Sequence, residues 1–256
     1  MKVVILAGGY GTRISEHTNR IPKPMIEIGG KPILWHIMKH YSNFGHKDFY
    51  IALGYKSEAI KDYFINYKTR NSNFEIDLKT GQILFHDFVS DDWKVTLVDT
   101  GLNTMTGGRI KRLENYLNDT SFLLTYGDGL CNVDINELIN FHKNHKKIAT
   151  VTAVHPSARF GELSINKNQV ISFKEKPQVD QGWINGGFFV LEPKFLDYIS
   201  DDNTILEREP LEQISSEGEL MAHCHEGFWR CMDTLRDKEV LENLWESGER
   251  PWLKEL

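Results

Sequence analysis

The feature that most constrains this chain is a short apolar run near its N-terminus that ends abruptly in a glycine-rich loop. Residues 3–7, Val-Val-Ile-Leu-Ala, are followed at once by Gly-Gly-Tyr-Gly-Thr-Arg at 8–13. The run predicts a buried strand, and glycines directly after a strand let the backbone turn its N–H groups toward a phosphate. The arginine that closes the loop can bind phosphate through two parallel charge-assisted hydrogen bonds. We therefore predict a polyphosphate site at the end of the first strand.

The spacing of the loop distinguishes it from two common nucleotide-binding motifs. Glycines at 8, 9 and 11 do not match the Gly-x-Gly-x-x-Gly pattern of dinucleotide folds. The loop also does not end in the Gly-Lys-Ser or Gly-Lys-Thr of a Walker A motif. A dinucleotide-dependent oxidoreductase is therefore disfavoured, and so is a P-loop enzyme.

Composition narrows the class of protein further. The 256 residues carry a formal net charge of −6, so positive charge is local and a nucleic-acid-binding surface is not expected. Three cysteines are too few, and odd in number, for a disulfide framework, and no signal peptide or long apolar stretch precedes Gly8. We expect a cytoplasmic protein with neither a membrane nor a nucleic-acid partner.

Apolar runs alternate with amphipathic segments, which is typical of an α/β domain built on a largely parallel sheet. Ser57, Thr106 and Asp134 are candidate helix caps, and 234–237 resembles a capping box. The stretch 67–93 has no clear pattern. We expect one domain. Its predicted strands are at 2–7, 48–53, 94–98, 120–125, 148–154, 170–175 and 184–191, and its predicted helices are at 32–43, 56–66, 107–117 and 134–145. The C-terminal part is predicted to have helices at 207–217 and 234–246 and strands near 219–224 and 228–232.

Lys23 lies between two prolines in Pro-Lys-Pro-Met at 22–25. The prolines restrict this loop to extended geometry, so the ammonium could meet developing negative charge without first being ordered. A solvated surface lysine in a proline turn is an equally good interpretation of the segment alone. Together with Arg13, a functional role is favoured.

Two carboxylates are candidate Mg²⁺ ligands, because this ion is commonly bound by one or two carboxylates plus phosphate oxygens. Asp128 follows the apolar run 122–124, and open α/β sheets place ligands at the carboxyl ends of their strands. Asp233 falls directly before a predicted helix. Spacing alone favours a simpler role for Asp233, a favourable charge at the helix N-terminus.

Several weaker patterns have both a functional and a structural interpretation. The segments 173–177 and 183–189 offer polar groups for a phosphorylated sugar, although a simple hairpin is the default interpretation. Thr106 to Arg109 could contact a phosphate or a base, or could merely open a helix. His223-Cys224-His225 is not a metal site, because adjacent strand residues point to opposite faces. The six tryptophans are more typical of a core or subunit contacts than of a stacking platform.

In order along the chain, these segments resemble the motifs of the sugar-1-phosphate nucleotidylyltransferases. The resemblance extends from residue 1 to about 252. It is strongest to the cytidylyltransferases that use glucose 1-phosphate, and the segments that most resemble them are 27–38, 98–109 and 233–237. It implies an α/β, Rossmann-like nucleotidyltransferase fold with a mixed, mostly parallel central sheet, flanking helices and an elaborated C-terminal part. The motifs that carry it are at 8–13, 22–25, 127–128, 175–177, 185–187 and 232–234.

The resemblance also implies a reaction and residue roles. CTP and α-D-glucose 1-phosphate would give CDP-glucose and diphosphate for bacterial surface polysaccharides, with Mg²⁺ held by Asp128 and Asp233. Residues 1–130 would mainly bind nucleotide, and residues 131–256 the sugar phosphate and the other subunits of a homo-oligomer, often a hexamer in this family. Arg13, Lys23 and Asp128 would be catalytic. The nucleotide would contact Leu6, Ala7, Gly8, Gly9, Gly11, Thr12, Arg13, Lys23, Thr106, Arg109, Gly127 and Asp128, and the sugar phosphate Tyr126, Glu175, Lys176, Asn185 and Gly186.

One departure and two alternatives remain. Many cytidylyltransferases have Lys-Pro-Lys-Pro-Met, but in this chain Ile21 occupies the position of the first lysine. Any role of that first lysine is therefore absent here or is taken by Arg20. A related enzyme with another nucleotide or another phosphorylated acceptor is one alternative. A catalytically silent relative that only binds nucleotide sugar is the other, and the joint presence of Arg13, Lys23, Asp128 and Asp233 argues against it.

Overall fold

The structure is a computed structural model that describes residues 1–11, 21–87, 91–156, 162–166, 169–174 and 182–253. Within these residues the strands are β1 (Lys2–Leu6), β2 (Glu27–Ile28), β3 (Lys31–Pro32), β4 (Asp48–Leu53), β5 (Asn73–Ile76), β6 (Ile83–His86), β7 (Lys94–Asp99), β8 (Phe122–Tyr126), β9 (Gly129–Cys131), β10 (Ala149–Val154), β11 (Glu162–Asn166), β12 (Gln169–Lys174), β13 (Ile184–Leu191), β14 (Leu220–His225) and β15 (Trp229–Cys231). The α-helices are α1 (Ile33–Asn43), α2 (Ser57–Ile65), α3 (Tyr67–Arg70), α4 (Thr106–Lys111), α5 (Glu114–Leu117), α6 (Ile135–His145), α7 (Glu209–Ser216) and α8 (Leu235–Glu246).

A seven-stranded sheet in the order β14-β10-β13-β8-β1-β4-β7 forms the centre of the fold. β1 pairs in parallel with both β4 and β8, and β10 pairs in parallel with β14. β13 alone of the seven runs against its neighbours β8 and β10. The predicted mixed, mostly parallel α/β sheet is confirmed. This topology brings the carboxyl ends of β1 and β8 to the same edge.

The core covers both faces of the sheet, because alternate residues of each buried strand point to opposite sides. On β1, Val3 and Ile5 pack on one face with α1, whereas Val4 and Leu6 pack on the other with residues of α4 and α7. Strands buried on both faces are expected to be continuously apolar, as these are. No helix within the described part of the chain combines the length and apolar character needed to cross a bilayer.

Two of the predicted helix caps are confirmed. Asp134 accepts a hydrogen bond from the Glu137 N–H at the start of α6. Thr234 and Asp237 form a complete capping box at the start of α8. Ser57 and Thr106 were wrong as caps, because each is the first helical residue and its predecessor occupies the cap position.

Three elements differ from the sequence prediction. The helix expected at 107–117 is two short helices, and the Leu113 N–H bonds three residues back to Ile110 between them. The strand expected at 170–175 is β12, which pairs with β11 in a separate hairpin and not in the central sheet. The undecided stretch 67–93 contains α3 and an exposed hairpin of β5 with β6.

Candidate active site

A cavity of about 880 Å³ opens at the carboxyl ends of β1 and β8. Parallel α/β sheets bind ligands at this edge, so its position agrees with the sequence prediction. Thr12, Arg13, Glu175 and Lys176 lie outside the described residues. Every other predicted site residue lines the cavity, namely Leu6, Ala7, Gly8, Gly9, Gly11, Lys23, Thr106, Arg109, Tyr126, Gly127, Asp128, Asn185, Gly186 and Asp233.

Two of the cavity glycines stand where the backbone requires glycine. A Cβ added to Gly127 would lie 2.9 Å from the Leu6 carbonyl oxygen, because the Gly127 N–H already bonds to that oxygen at 3.0 Å. Gly11 has a φ of 64°, in the left-handed region that favours glycine. Gly127 thus lets the ends of β1 and β8 approach each other at the cavity wall.

Lys23 is held with its ammonium between two carboxylates. It opens a short 3-10 helix, Lys23–Met25, and is buried. Its Nζ lies 2.6 Å from an Asp128 oxygen and 2.5 Å from an Asp233 oxygen. Burial alone would lower the pKa of Lys23, but the two carboxylates outweigh that effect and the pKa is raised. The ammonium is therefore a fixed positive charge at the cavity.

A short strand pair brings the two carboxylates together. Asp128 follows β8 and precedes β9, and β9 pairs antiparallel with β15, which precedes Asp233. The Met232 N–H also donates to the Asp128 carbonyl at 2.9 Å. Backbone pairing thus fixes two side chains that are far apart in the sequence.

The donor set at this point fits a divalent cation. One ligand atom each from Asp128, Cys231 and Asp233 lies within 4.8 Å of the others, and no other such group of three was found in the described ranges. Two carboxylate oxygens beside a cavity match the way Mg²⁺ is bound with phosphates and water. The Lys23 ammonium shows that this position accepts positive charge.

A model of the family described as nucleotidyl transferase matches residues 2–230 of the chain. The chain belongs to the nucleotidyl transferase family. It is 55% identical over 253 residues to the glucose-1-phosphate cytidylyltransferases of Salmonella typhimurium and Salmonella typhi, which covers 98% of this chain and 98% of each relative. Among solved structures, HddC from Yersinia pseudotuberculosis superposes with a TM-score of 0.71 at 26% identity, over 95% of this chain and 99% of HddC.

In this nucleotidyl transferase, Arg109 has a structural task as well as its predicted contact with nucleotide. Its buried guanidinium donates to the Gly8 and Leu53 carbonyls at 3.0 Å each. It also donates to the Thr100 hydroxyl at 2.8 Å and to the carbonyls of Gly101 and Leu102. Arg109 therefore ties together the loops that follow β1, β4 and β7. Burial lowers the pKa of Arg109, although an arginine side chain in a protein stays charged.

A second polar network links both sides of the cavity. The Tyr126 hydroxyl donates to Glu207 at 2.6 Å and lies 3.3 Å from the Asn185 amide nitrogen. Glu207 also accepts from the Thr106 hydroxyl at 2.8 Å. Burial, followed by the Glu207 charge, raises the pKa of Tyr126. The phenol therefore remains a hydrogen-bond donor near neutral pH.

Glu207, Trp229 and Cys231 are among the cavity-lining residues that sequence reasoning did not single out. The indole N–H of Trp229 donates to the Gly186 carbonyl at 2.7 Å, so this tryptophan lines the cavity as well as packing against the core. Burial and the neighbouring Asp128 charge raise the pKa of the Cys231 thiol. Only the nearness of Trp229 and Cys231 to Asp233 in the sequence could have drawn attention to them.

Proposed function

We propose that this protein transfers the cytidylyl group of CTP to α-D-glucose 1-phosphate and releases diphosphate, giving CDP-glucose. The observation that carries this proposal is the convergence of Lys23, Asp128 and Asp233 at one point of a cavity that is large enough for a nucleotide. Identity of 55% along almost the whole chain to two glucose-1-phosphate cytidylyltransferases supports the choice of base and sugar.

The reaction needs positioning and charge stabilisation more than covalent chemistry. A phosphate oxygen of the sugar phosphate attacks the α-phosphorus of CTP in line, the bond from that phosphorus to the bridging oxygen breaks, and diphosphate leaves. Negative charge increases on the bridging oxygen as it leaves. Lys23 is the group placed to meet that charge, because its ammonium is already ordered. Arg13, which closes the glycine-rich segment 8–13 in the sequence, is proposed to neutralise the triphosphate.

The proposed cofactor is Mg²⁺. Asp128 and Asp233 would hold it, and it would neutralise phosphate charge and polarise the phosphoryl group. With these two carboxylates occupied, the ammonium of Lys23 would be released toward the phosphates.

The sugar phosphate is proposed to bind across the network of Tyr126, Glu207 and Asn185. The Glu207 carboxylate can accept from sugar hydroxyls, and the Asn185 amide and the Gly186 backbone lie beside it on the cavity wall. Glu175 and Lys176 would complete this pocket. On this proposal, residues 1–130 mainly bind nucleotide, and residues 131–256 bind the sugar phosphate and contact other subunits of a cytoplasmic homo-oligomer, a hexamer, that serves surface polysaccharide synthesis.

The first test is diphosphate release from the purified protein. CTP, UTP, dTTP, GTP and ATP are each combined with glucose, mannose and galactose 1-phosphates, with and without Mg²⁺. We expect one dominant signal, from CTP with glucose 1-phosphate in the presence of Mg²⁺. A dominant signal from another pair of nucleotide and sugar phosphate would show that the protein uses those substrates instead. Diphosphate release from no pair would favour a protein that binds nucleotide sugar without catalysis.

Matched aspartate variants test the site itself. Asp128→Asn and Asp233→Asn are each expected to lower kcat/KM by at least about 100-fold, which corresponds to about 2.7 kcal/mol of transition-state stabilisation. Asp119→Asn is the control, since Asp119 is an exposed partner of Lys2 outside the cavity. Full activity in either cavity variant, with the control also active, would refute the assignment.

A further inference from the structure

Cys231 lies next to the two proposed magnesium ligands, and the proposed reaction gives it no role. Its Sγ is within 4.8 Å of ligand oxygens of Asp128 and Asp233, and its thiol hydrogen-bonds to Asp128. A magnesium site does not need sulfur, because Mg²⁺ takes oxygen ligands almost exclusively. The thiol gives the site a sulfur ligand, which allows it to bind divalent cations that prefer sulfur more than Mg²⁺ does.

The backbone fixes the position of the thiol. Cys231 is the last residue of β15 and pairs with Gly129 on β9, directly after Asp128. Gly129 has no side chain to crowd the thiol. The strand that carries Cys231 is therefore paired with the strand that directly follows Asp128, which holds the sulfur near that carboxylate.

The donor types suit a borderline ion such as Zn²⁺ or Co²⁺. In a tetrahedral zinc site with bonds of about 2.3 Å to sulfur and about 2.0–2.2 Å to oxygen, ligand atoms lie about 3.3–3.7 Å apart. The three ligand atoms here lie within 4.8 Å of one another, so their side chains would draw together around the ion. A site of two oxygens and one sulfur, open to a cavity, leaves a fourth position for water or phosphate.

We infer that Asp128, Cys231 and Asp233 form a three-ligand site for borderline divalent cations, which bind there in competition with Mg²⁺. Thiolate ligands favour zinc and cobalt over magnesium, so Cys231 selects these ions. On binding, the Cys231 S–H bond breaks, the sulfur–metal bond forms and the proton passes to solvent. This inference rests on the metal role of the two carboxylates in the proposed function, but not on the identity of the nucleotide or sugar.

The test measures metal binding without substrates. Co²⁺ is added to the purified protein and the near-ultraviolet thiolate-to-cobalt charge-transfer band is recorded, and Zn²⁺ binding is measured by equilibrium dialysis with metal analysis. Wild-type protein should give the band and bind one ion per chain at this site. Cys231→Ser should lose the band and bind Zn²⁺ at least about tenfold more weakly.

Two further variants keep the outcome decisive. Cys224→Ser removes an exposed thiol on β14 and should behave as wild type. Asp233→Asn retains the thiol but should weaken Zn²⁺ binding as well, so the inference does not depend on the folding of one variant. A cobalt–thiolate band that persists in Cys231→Ser, or no band in wild-type protein, would overturn it. Diphosphate release with Mg²⁺ alone, measured separately, shows whether the proposed function holds.

Discussion

Arg109 is the residue whose replacement best tests how the cavity is built. Its guanidinium donates to the carbonyls of Gly8, Leu53, Gly101 and Leu102 and is 4% exposed. The perturbation is Arg109→Met, which keeps an unbranched apolar stem and removes all five donors. The three loops that end β1, β4 and β7 would then lose the group that joins them.

The cost can be worked out from the acceptors. The Gly8 carbonyl also accepts from the Tyr55 N–H, and the Leu53 carbonyl also accepts from Thr100, so both keep a partner. The carbonyls of Gly101 and Leu102 lose their bonds to the guanidinium. At about 1–3 kcal/mol for each acceptor left without its partner, and with water able to enter from the cavity, we expect a loss of about 2–4 kcal/mol in unfolding free energy.

Arg112→Met is the matched control, because Arg112 lies one turn further on and makes an exposed ion pair with Asp202. Exposed pairs contribute about 0–1 kcal/mol. In thermal unfolding, Arg109→Met should lower the Tm by about 4–16 °C and Arg112→Met by no more than about 4 °C, at about 2–4 °C per kcal/mol. Arg109→Lys should recover only part of the loss, since an ammonium cannot reach all three loops. Equal Tm values for the two methionine variants would refute the structural role of Arg109.

Three more predictions concern packing, pH and the sugar side of the cavity. A Cβ on Gly54 would lie 2.6 Å from a backbone oxygen, whereas a Cβ on Gly9 would meet nothing within 4 Å. In urea unfolding, Gly54→Ala should therefore lower the free energy of unfolding by about 1–3 kcal/mol, and Gly9→Ala by under about 0.5 kcal/mol. Burial lowers the pKa of His36 from 6.5 to about 4, so the unfolded chain takes up the proton at a higher pH than the folded protein does. Up to about 3 kcal/mol of unfolding free energy should therefore be lost as the pH falls from 6.5 to about 4. This loss with falling pH should be shallower in His36→Gln, and equal slopes for the two proteins would count against the role of His36. Trp229→Phe removes the hydrogen bond to Gly186 and should raise the KM for the sugar phosphate about tenfold, with a smaller effect on the KM for CTP; the reverse order would contradict the placement of Trp229.

The central sheet was predictable because its strands are buried on both faces. Such strands appear in the sequence as continuous apolar runs, and β1, β4 and β13 lie within one residue of their predicted bounds. The shorter strands β5 and β6 carry mainly exposed side chains, so their sequences lack both a long apolar run and a buried face. The pairing of β9 with β15 joins three-residue segments far apart in the chain. Nothing local in the sequence specifies such a pairing.

The start of α4 is set by a tertiary contact. The N–H groups of Gly107 and Gly108 both bond to the Thr204 carbonyl, and added Cβ atoms would meet Thr204 and Asp202. The start of α4 is thus fixed by a loop about one hundred residues further along the chain. Helical periodicity at 107–117 indicated that a helix would form, but it contained no information about this contact.

Asp233 shows most clearly why spacing alone undervalued the candidate site. An acidic residue before a helix usually has the simple role of favouring the helix N-terminus, but here Thr234 and Asp237 already cap α8 through a complete capping box. The Asp233 side chain instead lies 2.5 Å from the Lys23 ammonium, 210 residues away in the sequence. A full capping box one residue after an acid therefore leaves the acid available for another partner, and that partner becomes evident only once β9 and β15 are paired. The same pairing places Cys231 beside Asp128, so the carboxylates proposed for catalysis and the thiol proposed to select the metal have one structural cause.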